Sequence, residues 1–424
     1  MSADKQAKLA KLVGEMAGFH ARKHGMTRRR FLRTSSGLAV IFLAINQVHG
    51  HFFSVDAAEI KDRDAAKERK DSLAKQFIFD AQLHFVQDAY PLEGILWLRK
   101  AAKRWNPGLK DEEVTLKKIQ FENFFKEVFF DSQTTIGLLS SAPADNPAGW
   151  FITNDQISRA RQTVNARLGA RRLLGHAVFT PGQPGWLDEV DRVIEEIKPD
   201  GWKGYTIGDP MNRSRYPWRL DDEKLVYPAY EKMTKAGIRN VCIHKGLLPT
   251  NYEETLPDLW KFGTVDDLGR AAKDWPTLNF IIYHSALETG SVDRNIESRF
   301  EKTGRVPWVT DLSEIPEKYG VKNVYGEIGT SFAATAVSSP AFCAAMLGTL
   351  IKGLGGDHVI WGTDSVWYGS PQWQIEALRR IEIPKKLQEK RGLSPLGPAN
   401  GPVKAAIFGR NSARLYGINP QSLV

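Results

Sequence analysis

The amino-acid sequence predicts a parallel (β/α)8 barrel, the TIM-barrel fold class, and three observations support this. Eight short apolar runs, rich in β-branched residues, alternate with amphipathic helical stretches from residue 77 onward. The runs are too apolar to leave one face of a sheet in water, which is typical of parallel strands covered on both faces. Eight strand–helix units also fit the size of a closed barrel with inserted loops. No strand is followed by a GxGxxG or GxxxxGK[ST] motif, so a nucleotide-binding open sheet is not favoured.

Each predicted strand corresponds to one apolar run, namely 77–85, 134–141, 173–179, 201–207, 240–244, 279–285, 323–328 and 359–364. Apolar residues at helical spacing predict the main helices at 111–130, 155–168, 186–197, 224–236, 265–272 and 340–354. The longest connections each follow a strand, at 86–110, 208–223 and 246–263. In a barrel such loops form the C-terminal mouth, so we expect the functional residues at the strand ends.

Positive charge is concentrated at the N-terminus. The 424 residues include 58 Lys+Arg and 49 Asp+Glu, a formal net charge of +9. Residues 1–58 hold nine basic and three acidic residues, which gives +6 of that total. Because the remaining chain is nearly neutral for its size, the charge does not indicate a nucleic-acid partner.

The N-terminal segment has the features of an export signal. The heptamer Thr-Arg-Arg-Arg-Phe-Leu-Arg at 27–33 precedes an apolar run at 37–45 that is too short to span a bilayer. Small residues at Ala57 and Ala58 suit a signal peptidase. The heptamer resembles the twin-arginine signal, with Arg33 in its last place. We therefore predict an export signal with a basic lead-in at 1–58 and a single barrel domain at 59–424. The protein would meet the twin-arginine translocation machinery and be periplasmic, or membrane-associated if the signal is retained.

Five polar residues lie at the ends of apolar strands: Gln82, His84, His244, His284 and Asp364. Gln82 and His84 are two residues apart, so they share the strand face that points into a barrel. A single strand-end histidine is often structural, and Asp364 could instead cap a helix. However, three of the five histidines beyond residue 58 end strands, and this coincidence favours chemistry. We interpret His176 and His358 as structural.

The order of these residues resembles the amidohydrolase superfamily. The segments that carry the resemblance are 79–84 (Phe-Asp-Ala-Gln-Leu-His), the single histidines on strands five and six, 362–364 (Gly-Thr-Asp) and the closing helix at 406–417. Within the superfamily they are similar to the amidohydrolase-related branch, which includes mononuclear-metal hydrolases, lactonases and nonoxidative decarboxylases. The resemblance covers roughly residues 77–417.

This resemblance implies a divalent metal, zinc or alternatively manganese or iron, held by His84, His244, Asp364 and Gln82. Gln82 is a departure, because the family normally has a histidine there and a neutral amide is a poorer ligand. The implied catalytic residues are Asp364, which would take a proton from water, and His284, which would stabilise negative charge or act as a general acid. Dimers are common among barrels of this branch, so a homodimer is expected.

The implied reaction is metal-dependent hydrolysis of a C–O or C–N bond in a lactone, ester or amide. The same residues suit nonoxidative decarboxylation of an aromatic or unsaturated acid, in which Asp364 would deliver a proton to carbon. A third alternative is an exported binding barrel without catalysis, for which Gln82 is the only sequence indication. These residues alone do not separate the three functions.

Aromatic and cationic residues near the mouth favour a small, planar substrate. The residues predicted to bind it are Lys203, Glu327, Trp202, Tyr205, Arg215 and Trp367. Lys203 lies on strand four, where binuclear superfamily members carry a carboxylated lysine, but the missing first histidine argues against a second metal. Glu327 is either a hydrogen-bonding residue of the mouth or a buried acid paired with an arginine.

Overall fold

The computed structural model describes residues 3–32, 34–104, 106, 109–292 and 294–422, and within them the chain forms a parallel (β/α)8 barrel. Eight strands pair in sequence order, each parallel to the next. They are β1 Phe79–Leu83, β2 Ile136–Leu139, β3 Leu173–Val178, β4 Gly201–Tyr205, β5 Asn240–His244, β6 Asn279–Tyr283, β7 Val324–Glu327 and β8 Val359–Ile360. The predicted fold and the places of its eight strands are confirmed.

The barrel closes between β1 and the chain that follows β8. Although β8 has only two residues, the backbone beyond it continues beside β1. The Ala81 amide donates to the Trp361 carbonyl at 3.0 Å, and the Asp364 amide donates to the Gln82 carbonyl at 2.9 Å. This pairing places polar residues from the first and last strands side by side.

Helices surround the barrel. Those after β1 are α6 Leu96–Ala102, α7 Phe121–Phe129, α8 Asn154–Leu168, α9 Trp186–Arg192, α10 Tyr227–Lys235, α11 Tyr252–Thr255, α12 Leu268–Asp274, α13 Arg294–Thr303, α14 Val309–Tyr319, α15 Gly329–Ala336, α16 Pro340–Leu354, α17 Gln372–Arg380, α18 Lys385–Arg391, α19 Pro402–Ala405 and α20 Asn411–Leu415. The predicted helix at 340–354 is confirmed as α16, with Pro340 in its first turn, where a missing amide hydrogen costs nothing.

The helix predicted over 111–130 was too long, since α7 spans only its C-terminal half. Glu112 instead lies in a loop and binds Arg99, which is fully buried, at 2.6 Å. Arg99 also donates to the Glu127 carboxylate of α7 at 2.7 Å. Because a buried guanidinium needs carboxylate partners, tertiary pairing outweighs the local helical pattern here.

The N-terminal segment also packs onto the barrel. It contains α1 Ala3–Lys23, α2 Arg28–Leu32, α3 Ser35–His49, α4 Ala57–Lys61 and α5 Arg63–Ser72. Residues of α3 belong to the main hydrophobic core, and the domain boundary at residue 59 stays a prediction. Arg33 of the predicted export motif lies outside the described residues. Among the helices described, none combines the length and apolar character needed to cross a membrane.

Candidate active site

A cavity of about 780 Å³ opens at the C-terminal ends of the strands, on the side where the longest loops lie. All five strand-end residues singled out in the sequence line it: Gln82, His84, His244, His284 and Asp364. They come from β1, from the ends of β5 and β6 and from the loop after β8, so the closed barrel brings together residues up to 282 positions apart.

The carboxylate of Asp364 is the most heavily contacted group in the cavity. Its Oδ1 accepts a hydrogen bond from Gln82 Nε2 at 3.0 Å and lies 3.1 Å from His84 Nε2, while its Oδ2 accepts one from the Thr330 hydroxyl. Burial by itself would raise the pKa of Asp364. The contacts with His84, His284 and Thr330 outweigh burial and hold that pKa well below its ordinary value. Asp364 is therefore ionised at neutral pH.

His284 is a neutral hydrogen-bond donor in this environment. The backbone amide of Thr330 donates to its Nδ1 at 3.2 Å, so the remaining proton of the neutral ring lies on Nε2, which is 3.2 Å from the Gln82 Nε2 atom. Burial lowers the pKa of His284 to about 3. The ring can thus donate a hydrogen bond through Nε2 without carrying a charge.

The backbone is strained at His284 and at the two residues that follow it. His284, Ser285 and Ala286 have φ values of 60°, 48° and 55°, in the left-handed region that residues with side chains seldom adopt. Glu327 stabilises this turn by accepting hydrogen bonds from the His284 amide at 3.0 Å and the Gly329 amide at 2.6 Å. Of its two predicted roles, Glu327 thus has that of a hydrogen-bonding residue, and the donors to its carboxylate among the described residues are backbone amides.

Gln82, His84 and Asp364 form a compact triangle of polar atoms. Gln82 Nε2, His84 Nε2 and Asp364 Oδ1 lie 3.0–3.4 Å from one another. His84 Nδ1 donates to the Ser140 carbonyl at 2.9 Å, so in the neutral ring the Nε2 lone pair points at the carboxylate. This contact is favourable when a proton on Nε2 or a bound cation lies between the two atoms.

His244 lies next to this triangle. Its ring stacks on Tyr205 with centroids 4.8 Å apart and is also 4.8 Å from the ring of His284. Burial holds the pKa of His244 well below its ordinary value, so the imidazole is neutral. Its Nδ1 and the Gln82 Oε1 are buried and have no hydrogen-bond partner in the described part of the chain. A neutral imidazole and an amide oxygen without partners are free to bind a ligand.

No three His, Cys, Asp or Glu side chains among the described residues form a cluster that could by itself hold a metal. The physical reason is the glutamine on β1, which supplies the third corner of the triangle in place of a histidine or carboxylate. The Gln82 atom in the triangle is the amide Nε2, which donates to Asp364, so the oxygen Oε1 is the only Gln82 atom that could bind a metal.

The walls of the cavity are largely aromatic. Trp367 stacks on the His84 ring at 5.8 Å, and Phe151 packs edge-on against Trp367 at 5.2 Å. Tyr205 and Tyr368 complete this wall. The sequence predicted Tyr205 and Trp367 in this place but missed Phe151, because nothing local distinguishes Phe151 from an ordinary core aromatic.

Four of the six predicted substrate residues are not among the residues that line the cavity, namely Glu327, Lys203, Trp202 and Arg215. Lys203 is fully buried inside the barrel, with Nζ 3.4 Å from the ring centroid of Tyr283. Trp202 points to the opposite face of β4, since successive side chains of a strand alternate, and donates to a backbone carbonyl. Arg215 is exposed and pairs with Asp145 at 3.7 Å. Direct substrate contact by these residues stays a prediction.

Thr330 is the positioning residue that the sequence did not reveal. It lies in the first turn of α15, three residues after the end of β7. Its amide orients His284, its hydroxyl orients Asp364, and its Oγ1 is 2.8 Å from the Tyr368 hydroxyl. The only available signal was its position after a strand end.

We expect Thr330→Val to lower kcat/KM by roughly 10- to 100-fold, because a hydrogen bond to a charged group contributes about 1.5–3 kcal/mol. The measurement is steady-state kinetics with a substrate that the wild-type protein turns over. Thr330→Ser keeps the hydroxyl and should stay within about threefold of wild type. Equal activities of the two variants would contradict the positioning role.

The family model described as Amidohydrolase matches residues 79–418 of the chain. This range begins at β1 and ends after α20, so it includes every strand of the barrel and all five strand-end residues. A comparison with curated proteins found no match.

Solved structures with a similar fold share little sequence with this chain. An uncharacterized TIM-barrel protein from Bordetella bronchiseptica is 14% identical with a TM-score of 0.51, over 80% of this chain and 98% of its own. The 5-carboxyvanillate decarboxylase of Sphingomonas paucimobilis is 16% identical with a TM-score of 0.48, over 81% and 100%. The 2,6-dihydroxybenzoate decarboxylase from Rhizobium is 14% identical with a TM-score of 0.47, over 81% and 99%. The first likeness supports the barrel fold alone.

Proposed function

The chain belongs to the amidohydrolase family and is an enzyme, and we propose that it is a metal-dependent hydrolase that cleaves a C–O or C–N bond of a small planar substrate. The observation that carries this proposal is the pair formed by ionised Asp364 and neutral His284 on the floor of the cavity. The carboxylate suits the removal of a proton from water. The imidazole Nε2–H suits the stabilisation of an oxygen that becomes negative.

The donor set fits a divalent metal. His84 is held through its second nitrogen by a backbone carbonyl, as metal-bound histidines commonly are. Gln82 Oε1 and His244 Nδ1 are buried and have no hydrogen-bond partner among the residues that the structure describes, and Asp364 supplies negative charge. We propose that these four residues hold zinc, with manganese or iron as alternatives. When bound, the metal would polarise a substrate carbonyl.

Residues of the chain would supply the proton transfer, the stabilisation of the oxyanion and the contact with the substrate. Asp364 accepts the proton of the attacking water, and its carboxylate is kept in one orientation by the Thr330 hydroxyl. His284 donates through Nε2 to the developing oxyanion, and the Thr330 amide fixes that tautomer. Trp367 and Phe151 exclude water and offer flat faces to a planar substrate.

Decarboxylation of an aromatic acid is the second candidate, and the aromatic wall is the observation that favours it. In that reaction Asp364 would have to carry a proton before giving it to carbon. The donors around Asp364 favour its ionised form, which is the reason to place hydrolysis first. The family match argues against the non-catalytic binding barrel.

The location and the assembly remain proposals. Export by the twin-arginine machinery rests on the heptamer at 27–33, and a periplasmic or membrane-associated location follows from it. A homodimer rests on the family resemblance.

Elemental analysis of the purified protein should find about one divalent metal ion per chain. His84→Ala removes one corner of the triangle and should lose most of that metal, because one ligand and its tautomer-fixing contact disappear together. The matched control is His358→Ala, whose ring contacts Asp357 and the Lys322 carbonyl, outside the cavity. A folded wild-type protein that contains no metal would contradict the metal site. Equal metal content in the two variants would contradict it as well.

A substrate screen with two readouts should separate the two reactions. Aromatic lactones, esters and amides should release acid without carbon dioxide, and aromatic carboxylic acids should be left unchanged. Acid release is measured by titration at constant pH, and carbon dioxide by mass spectrometry of the headspace. Release of carbon dioxide from an aromatic acid at a rate matching its consumption would show that decarboxylation is the reaction.

A further inference from the structure

The apolar run of the predicted export signal is a buried helix of the folded protein. Helix α3 packs against α17, and its Ala44, Ile45 and Phe42 side chains are 0–1% exposed. The Phe42 ring packs against Phe53 at 4.8 Å and lies 5.9 Å from the Arg380 guanidinium. Removal of α3 would expose a large apolar surface on α17 to water, which is costly in free energy.

The chain after α3 turns back and is fixed by one asparagine. Asn46 Oδ1 accepts from the Phe52 and Phe53 amides at 3.1 and 3.0 Å, and its Nδ2 donates to the Phe53 carbonyl at 2.7 Å. Phe53 then forms an antiparallel bridge with Ile381, and the Glu382 amide donates to the Phe52 carbonyl at 2.8 Å. The returning segment is thus hydrogen-bonded to the chain that follows α17.

The predicted cleavage site after Ala58 lies inside α4. Asp56 caps this helix by accepting from the Ala58 amide at 2.8 Å, and Glu59 completes the capping box. The Glu59 carboxylate is buried and binds the Arg380 guanidinium at 2.5 Å. A peptidase needs an accessible, extended segment, which a capped helix with a buried ion pair does not offer.

Helix α17 connects this segment to the cavity. Gln374 of α17 donates from Nε2 to the Thr363 carbonyl at 3.0 Å, directly before Asp364 in the chain. A helix that shifted or frayed would therefore disturb the loop that carries the Asp364 carboxylate. The basic residues Arg28, Arg29 and Arg30 stay exposed while Phe31 is buried, so the folded chain still presents its arginines.

We propose that residues 35–58 are retained in the mature protein as a permanent clamp on α17, which holds the Asp364 loop in place. The recognition motif at 27–33 lies just before this segment. The apolar helix within the segment belongs to the enzyme core. This inference depends on packing and hydrogen bonds and holds for either reaction considered above.

The first test is the intact mass of the full chain after production and export in a host with twin-arginine transport. The expected mass corresponds to a protein that keeps every residue from 35 onward, with any trimming confined to residues before it. A folded, active protein that begins at Glu59 would overturn the proposal.

The second test compares two neighbouring substitutions in the full chain. Asn46→Ala removes three hydrogen bonds and should lower Tm by about 5 °C or more, with at least about threefold faster proteolysis between residues 49 and 58. Gln47→Ala changes an exposed residue and should leave both quantities unchanged. If Asn46→Ala does not fold, the milder Phe42→Leu should show the same pattern. If the Asn46→Ala and Phe42→Leu proteins have the same Tm and the same rate of proteolysis as the Gln47→Ala protein, the proposed clamp is wrong.

Discussion

The pairing of β1 with the chain beyond β8 is the constraint on which the candidate site depends. Asp80, fully buried on β1, accepts hydrogen bonds from the Thr363 amide at 3.0 Å and the Thr363 hydroxyl at 2.5 Å. This contact fixes the residue before Asp364 while the backbone pairing aligns Asp364 with Gln82. Without that alignment, the amide of Gln82 and the carboxylate of Asp364 would not meet, and neither a cation nor a water molecule would find a site between them.

The same region contains several groups that oppose folding. Burial raises the pKa of Asp80 to about 7 and that of Glu327 to about 8, and it lowers that of Lys203 to about 7. Buried ionisable groups and left-handed residues such as His284 cost free energy, and they persist where the surrounding core determines them. Their concentration at one end of the barrel is typical of a site selected for chemistry, at the expense of stability.

Sequence patterns predicted the barrel and the five strand-end residues because these are local signals, an apolar run and one polar residue that ends it. The positioning role of Thr330, the late start of the helix predicted over 111–130 and the packing of α3 could not be predicted in this way. Thr330 acts through groups from β6 and the β8 loop, Glu112 leaves the helical pattern for a distant arginine, and the apolar run at 37–45 has the composition of a signal as well as of a core helix. Each depends on a partner far away in the chain.

The central claim is that the Asp364 carboxylate performs the proton transfer, and turnover of an Asp364→Asn variant tests it most directly. Asparagine tolerates the left-handed φ of 57° at this position and nearly preserves the volume, so the fold should survive. We expect a kcat lower by at least about 1000-fold, with Tm within about 4 °C of wild type. A variant that keeps wild-type kcat on the same substrate would contradict it.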